Sequence, residues 1–254
     1  MDIPHHFVIR ESGSRIINPL EESQLDSLGR KLQLNPGAEI LDLACGKGEM
    51  LCTWARDYGY TGTGIDLSRH FIADAQVRAA ELGVSDHVRF QQADATGHVS
   101  KNPVDVASCL GSSWIGGGPS WQGRIGGTLE LLQRSLKPNG LLLIGEPYWR
   151  SEPPHQEALE ACFANSVEDF PFLEPLLSHV DDLGYDLVEV CLATPESFDR
   201  YSGAQWLSVR RWLNAHPEDK HAEDFRKEMA TTPRSHMLYQ REHLGWGVLV
   251  LMKR

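Results

Sequence analysis

Three short segments carry residues whose types and spacing suit the binding of a small ligand. The first is Asp42-Leu43-Ala44-Cys45-Gly46-Lys47-Gly48. Glycines at 46 and 48 let the backbone turn sharply and let a ligand lie against it with no Cβ in the way. A tight strand-to-helix turn without a ligand would use the same two residues. The second is Asp66, 18 residues past Gly48. An acid at the end of the next strand is placed to accept hydrogen bonds from both hydroxyls of a ribose, which also disfavours a 2′-phosphate. Its simpler alternative is a helix-capping role beside Ser68. The third is Asp94-Ala95, where a carboxylate can accept the exocyclic amine of adenine or serve as a solvated turn acid.

A second set of residues lies where the chain leaves the carboxyl ends of later strands, the usual place for a site in an open α/β sheet. It comprises Trp114 and the run Glu146-Pro147-Tyr148-Trp149. Gly116-Gly117-Gly118 gives the loop around Trp114 freedom to move. Aromatic rings in these loops can exclude water and face a cation, or they can be core beneath a cap. Glu146 and His155 are the nearest candidate bases for an acceptor that must lose a proton, but no catalytic residue is assigned. Arg15, in Ser12-Gly13-Ser14-Arg15, is suited to bidentate recognition of a carboxylate. Cys45 is not read as a nucleophile, because in such a turn the backbone is the working part.

These residues need a scaffold of alternating strands and helices, and the pattern supplies one. A helix is expected from an Asn18-Pro19 cap, with Leu25, Leu28 and Leu32 on one face, stopped by Asn35-Pro36-Gly37. Strands follow at Glu39 to Leu43, Gly62 to Asp66, His87 to Phe90, Val104 to Leu110 and Leu141 to Gly145, with helices between them. Lys137-Pro138-Asn139-Gly140 reads as a turn. Five β-then-α units in order imply a doubly wound, mostly parallel sheet. A short helix around Leu173 to Leu183 leads to a sixth strand, Tyr185 to Leu192. The segment from about 195 to 244 is helical by pattern, a cap inserted before a last apolar strand, Gly245 to Met252. One domain spanning 1–254 is expected, with the cap as a lid over the site.

Composition narrows the function. The chain has 254 residues with 24 Lys and Arg against 35 Asp and Glu, a formal net charge of −11. No basic cluster is present, which argues against nucleic acid and anionic membrane surfaces. Apolar runs reach only four or five residues, against the roughly 20 that span a bilayer. Five cysteines at irregular spacing read as reduced, mostly buried thiols. The 11 histidines show no metal-ligand spacing, so no metal is expected. The opening Met1-Asp2-Ile3-Pro4-His5-His6 lacks the basic region and apolar core of a secretory signal. A cytoplasmic location is expected.

Taken together, Asp42-x-x-x-Gly46-x-Gly48, Gly64-Ile65-Asp66, Ala93-Asp94-Ala95, Asp105 to Leu110 and Leu136 to Leu141 resemble the successive motifs of class I S-adenosylmethionine (SAM)-dependent methyltransferases, in that family's order. Ala44 departs from the family's frequent first glycine but keeps a small residue. The resemblance implies a seven-stranded Rossmann-like sheet with an antiparallel last strand, and transfer of a methyl group from SAM to a small-molecule acceptor with release of S-adenosylhomocysteine (SAH). It implies that the Asp42 to Gly48 loop, Ala44 included, holds the amino acid end of SAM. Asp66 with Leu67 would hold the ribose, Asp94 with Ala95 the adenine, and Leu110 and Gly111 would line the methionine moiety. Trp114, Glu146, Tyr148 and Trp149 remain the candidate acceptor residues. Two other readings stay open on the sequence: a nucleotide-dependent oxidoreductase, weakened by Leu51 where the dinucleotide fingerprint wants Gly or Ala, and a noncatalytic SAM or SAH binder.

Overall fold

The computed structural model describes residues 3–254; Met1 and Asp2 of the opening stretch lie outside the described residues. Two helices, α1 (His5–Glu11) and α2 (Glu22–Lys31), precede an alternating series. It runs β1 (Glu39–Leu43), α3 (Glu49–Tyr58), β2 (Thr61–Asp66), α4 (Arg69–Glu81), β3 (Val88–Gln92), β4 (Val104–Leu110), α5 (Trp121–Gln133) and β5 (Leu136–Trp149). Then come α6 (Gln156–Ala161), α7 (Leu173–Asp182), β6 (Tyr185–Leu192), α8 (Pro195–Ala215), α9 (Ala222–Ser235) and β7 (Leu244–Lys253). The central strands are short apolar runs because helices cover both faces of a parallel sheet. Leu41, Leu43, Val106, Leu142 and Ile144 are all buried.

The seven strands lie in the order β3-β2-β1-β4-β5-β7-β6, with β1 to β5 parallel and β7 antiparallel to both its neighbours. Because β1 pairs with both β2 and β4, the chain reverses its direction of winding there. The helices after β1 and β4 therefore lie on opposite faces, and a crevice opens above the carboxyl ends of those two strands. One core layer packs Leu28, Leu51, Trp54 and Val248; the other packs Ile65, Leu129, Leu132 and Leu251. Trp54 ties α3 to α2 through a hydrogen bond from Nε1 to the Leu25 carbonyl at 3.0 Å.

Two local expectations are corrected. α2 begins at Glu22, not at the Asn18-Pro19 pair: Glu21 caps it in a reciprocal box with Gln24, and Asn18 faces the crevice instead. Lys137 to Gly140 is not a separate turn but an irregularity within β5, since Val104 pairs with Leu136 and Val106 with Leu141. Asn139 takes φ +61° there, a conformation its short polar side chain tolerates. α1 and α6 were not foreseen. α1 has no side-chain cap and holds its place by packing Ile9 against Val209, Leu213 and Phe225.

The segment between β6 and β7 is helical as its pattern implies. Thr194 and Ser197 cap α8 reciprocally, with Pro195 in its first turn. A π-helical turn at His236–Gln240 follows α9. Buried His236 there lies 2.8 Å from Asp199 Oδ1 and 3.1 Å from Gln240 Oε1. Among the described residues no helix is long and apolar enough to cross a membrane.

Candidate functional site

The loop between β1 and α3 needs left-handed backbone three times within five residues. Ala44, Gly46 and Gly48 have φ of +58°, +54° and +67°. Two are glycines, for which this is inexpensive, and Ala44 carries the strain that a glycine would avoid. The turn is fastened to β2: the Gly46 amide donates to Asp66 Oδ2 at 2.8 Å and the Cys45 amide to the Ile65 carbonyl at 3.0 Å. The Ser68 amide donates to Asp66 Oδ1 at 2.8 Å, while the Ser68 side chain caps α4. Asp66 therefore joins the loop to the start of α4 and also lines the crevice. Asp42, beneath the loop, accepts the Ser108 hydroxyl at 2.7 Å. Burial, aided by the nearby Asp66 charge, pushes its carboxyl up to about 7.

Above these strand ends lies a cavity of about 260 Å³. Asp42, Ala44, Asp66, Leu67, Asp94, Ala95, Leu110, Gly111 and Trp114 all line it. Acids thus stand at the ends of β1 and β2 and just beyond β3. Asp94 is exposed and accepts the Thr96 amide at 2.8 Å, which holds its carboxyl below the ordinary value. Gly111, at φ +85°, approaches Asn18 so closely that a Cβ would meet Asn18 Oδ1 at 2.9 Å. Trp114 stands half-exposed at the rim, on a 3-10 turn, Ser113–Gly116. That turn is anchored on α5 by the Thr128 hydroxyl, which donates to the Ser113 carbonyl at 2.8 Å. Gly116 packs against the Thr128 backbone, and Gly117 and Gly118 have φ of +75° and +89°. These glycines serve close approach and positive φ, where loop freedom was expected.

The remaining wall comes from a region the sequence reading undervalued. Ile3, Phe7 and residues Arg15 to Asn18 line the cavity, together with Lys47, Glu49, Met50 and Phe71. Residues 15–18 form a strap across the strand ends. Ile17 lies on Gly46, where a Cβ would meet Ile17 Cδ1 at 2.5 Å, and Asn18 Nδ2 lies 3.4 Å from the Leu110 carbonyl. Arg15 lines the cavity with its guanidinium on Glu81 at 3.0 Å. Lys47 is buried, and its Nζ donates to the Glu11 carbonyl at 2.8 Å. No residue of 195–244 lines the cavity, so the cap is not the immediate lid over the site that its place in the chain suggested. It packs behind α1. Tyr201 bonds Glu11, Trp206 meets His236 edge-on and Trp212 packs on Phe225. A signal for the strap was present in Ile16-Ile17-Asn18, apolar and polar groups next to a helix start.

Several candidates fall outside the lining. Gly48 shapes the loop without facing the cavity: a Cβ there would meet the Phe90 ring at 2.5 Å and Ala75 Cβ at 2.9 Å. Gly46 meets the strap. Tyr148 and Trp149 are core residues. Trp149 packs with Leu159, Cys162 and Leu244 and donates Nε1 to the Val167 carbonyl at 2.7 Å. Tyr148 lies over Gly245, its partner on β7. Glu146 is not part of the lining either, but its carboxyl is held by Ser113, on the turn that carries Trp114. Its Oε1 is enclosed with no hydrogen-bond partner among the described residues, and burial pushes the group up to about 7. His155 serves as the cap of α6. All five cysteines are free thiols. Burial raises Cys45 well above the ordinary thiol value, which leaves it inert as a nucleophile.

The chain as a whole is similar to known proteins. A sequence profile of the family described as "Methyltransferase domain" matches residues 34–206. The uncharacterized protein YjhP of Escherichia coli K12 is 51% identical over 254 residues, covering 100% of both chains. A crystal structure of a SAM-dependent methyltransferase from Geobacter sulfurreducens in complex with SAH superposes with a TM-score of 0.95 at 51% identity, covering 100% of this chain and 99% of that one. The corresponding Thiobacillus denitrificans enzyme, also with SAH, gives 0.95 at 50% identity with 100% coverage of both. The sheet with its antiparallel last strand is thus that of a SAM-dependent methyltransferase and not of a dinucleotide oxidoreductase. The chain belongs to the SAM-dependent methyltransferases.

Proposed function

We propose that the protein methylates a small-molecule acceptor in the cytoplasm, acting as one domain, and that the cavity above β1 and β4 holds SAM and acceptor together. The observation that carries this reading is the cavity itself. It is walled by the strap, lined by acids at the positions that suit an adenosine ligand, and apolar over much of the rest through Ile17, Leu20, Leu25, Met50, Phe71 and Ile115. A pocket covered in this way suits a small acceptor better than a macromolecular one. Five free thiols fit a reducing compartment.

SAM when bound supplies an electrophilic methyl group, which we propose passes to the acceptor by in-line displacement. The chain's own residues hold and shield. In this reading Asp66 with Leu67 takes the ribose hydroxyls, Asp94 and Ala95 lie against the adenine, and the Asp42 to Gly48 loop with Leu110 and Gly111 takes the amino acid end. Arg15, which lines the cavity, would exchange Glu81 for a ligand carboxylate. Ile17, Asn18 and Trp114 exclude water and align the acceptor, which supplies most of what such a transfer needs. Glu146, held by Ser113 on the turn that carries Trp114, lies outside the lining and is given no catalytic role.

The test is transfer of radiolabelled methyl groups from SAM into a bacterial cell extract separated into low-mass and macromolecular fractions. Label in the low-mass fraction is expected. Label confined to protein or nucleic acid would overturn the small-molecule reading.

A further inference from the structure

The cap adds nothing to the cavity lining, yet it is bonded to the residues that form it. Glu11, at the end of α1, is fully buried. Its Oε1 receives the Tyr201 hydroxyl at 2.8 Å and the Gln205 amide at 2.6 Å, both from α8. Its Oε2 is enclosed with no hydrogen-bond partner among the described residues. The Glu11 carbonyl receives Lys47 Nζ at 2.8 Å, which leads into the glycine loop. The Tyr201 hydroxyl also lies 3.2 Å from the carbonyl of Ile17, the residue that covers Gly46.

A carboxyl buried this deeply, with one oxygen unmatched, costs the fold stability. Two helices that merely needed to pack would do so better through apolar side chains. The carboxyl does achieve a fixed geometry, since two donors from α8 converge on one oxygen while the main chain of the same residue anchors Lys47. We propose that Glu11 is a positioning residue, through which α8 of the cap holds the 15–18 strap and Lys47 in the arrangement that receives SAM or SAH. The cap thereby governs cofactor affinity from behind the strap without touching the ligand. This inference rests on the cofactor placement proposed above.

The test uses the full chain, with SAH as the probe in titration calorimetry and amide hydrogen exchange over residues 12–18. Glu11→Leu removes the buried carboxyl but leaves the Gln205 amide and the Tyr201 hydroxyl without that acceptor, so its thermal midpoint should hold or fall modestly. Its SAH affinity should nevertheless fall by about tenfold, or ~1.4 kcal/mol, with faster exchange in the strap. Glu11→Gln keeps an acceptor oxygen for Tyr201 and Gln205 and should recover most of the affinity. Should Glu11→Leu not fold, Gln205→Leu leaves both Glu11 and the Tyr201–Ile17 bond in place and should lower the affinity in the same direction. Wild-type affinity and exchange in a folded Glu11→Leu or Gln205→Leu variant would overturn the positioning role. Failure of the wild-type protein to bind SAH would instead overturn the cofactor placement itself.

Discussion

The backbone amide of Gly46 lies 2.8 Å from Asp66 Oδ2, at the tips of two adjacent parallel strands. One carboxylate thus pins the glycine turn and, through its other oxygen, the amide of Ser68 at the start of α4. The alternatives open for Asp66 on the sequence, a ligand acid or a helix-start acid, are not exclusive. It organises both segments and still lines the cavity. The charge a ribose would meet is therefore held in place before any ligand arrives.

Replacing Asp66 by Ala should weaken SAH binding and lower stability together. Hydrogen bonds to a charged group contribute about 1.5 to 3 kcal/mol, and Asp66→Ala removes those from the Gly46 and Ser68 amides together with those proposed to the ribose. Calorimetry with SAH and urea denaturation measure the two effects separately. Unchanged affinity in a folded variant would remove Asp66 from the ribose site.

Substitution at Gly48 should act through the fold. The sequence suggested that a side chain here would strike the cofactor or the turn, and the structure directs it at Phe90 and Ala75. Gly48→Ala should cost roughly 1 to 3 kcal/mol by overpacking, added to the strain of positive φ. The check is the urea midpoint; full stability with selective loss of SAH binding would restore the cofactor-clash reading.

Ala44 offers the opposite experiment. Its φ of +58° is strained for any residue with a Cβ, so Ala44→Gly should stabilise the protein by up to about 1 kcal/mol, the left-handed cost being partly offset by the unfolded glycine's extra freedom. Equilibrium denaturation measures this, and a lower midpoint would show that the alanine methyl group contributes more by packing than it costs in strain.

Two raised carboxyls set a pH dependence. Asp42 moves from 3.8 to about 7 and Glu146 from 4.5 to about 7, both chiefly through burial. The folded protein keeps protons that the unfolded chain releases, so their contribution is complete below the unfolded values. It is lost as pH rises toward 7 and levels off above it. Each group contributes a fall of up to about 1.4 kcal/mol per pH unit within that window. Urea denaturation at about pH 5 and about pH 8 should show greater stability at the acid end, and Asp42→Asn or Glu146→Gln should each flatten the slope. A flat wild-type profile would mean that both groups stay ionised in the fold.

The sequence by itself determined the strands, the order of β-then-α units and the glycine turn. Each depends on short-range facts: an apolar run such as Ile40 to Leu43 suits a doubly covered strand, and Gly46 and Gly48 permit positive φ wherever the chain places them. Asp42, Asp66 and Asp94 were legible because a parallel sheet brings strand ends to one edge regardless of the rest of the fold. Only the tertiary structure decided which loops face that edge and what covers it. Tyr148 and Trp149 left the candidate site because β7 pairs Gly245 and Leu244 against them, a partnership about a hundred residues distant that no local pattern encodes. Trp114 stayed because its turn is pinned to α5 by Thr128. The strap over Gly46 was hidden for the same reason: α1 has little intrinsic drive to fold and is held by Ile9 against α8 and by Glu11 on Tyr201 and Gln205, contacts whose energy exists only once the far end of the chain is in place.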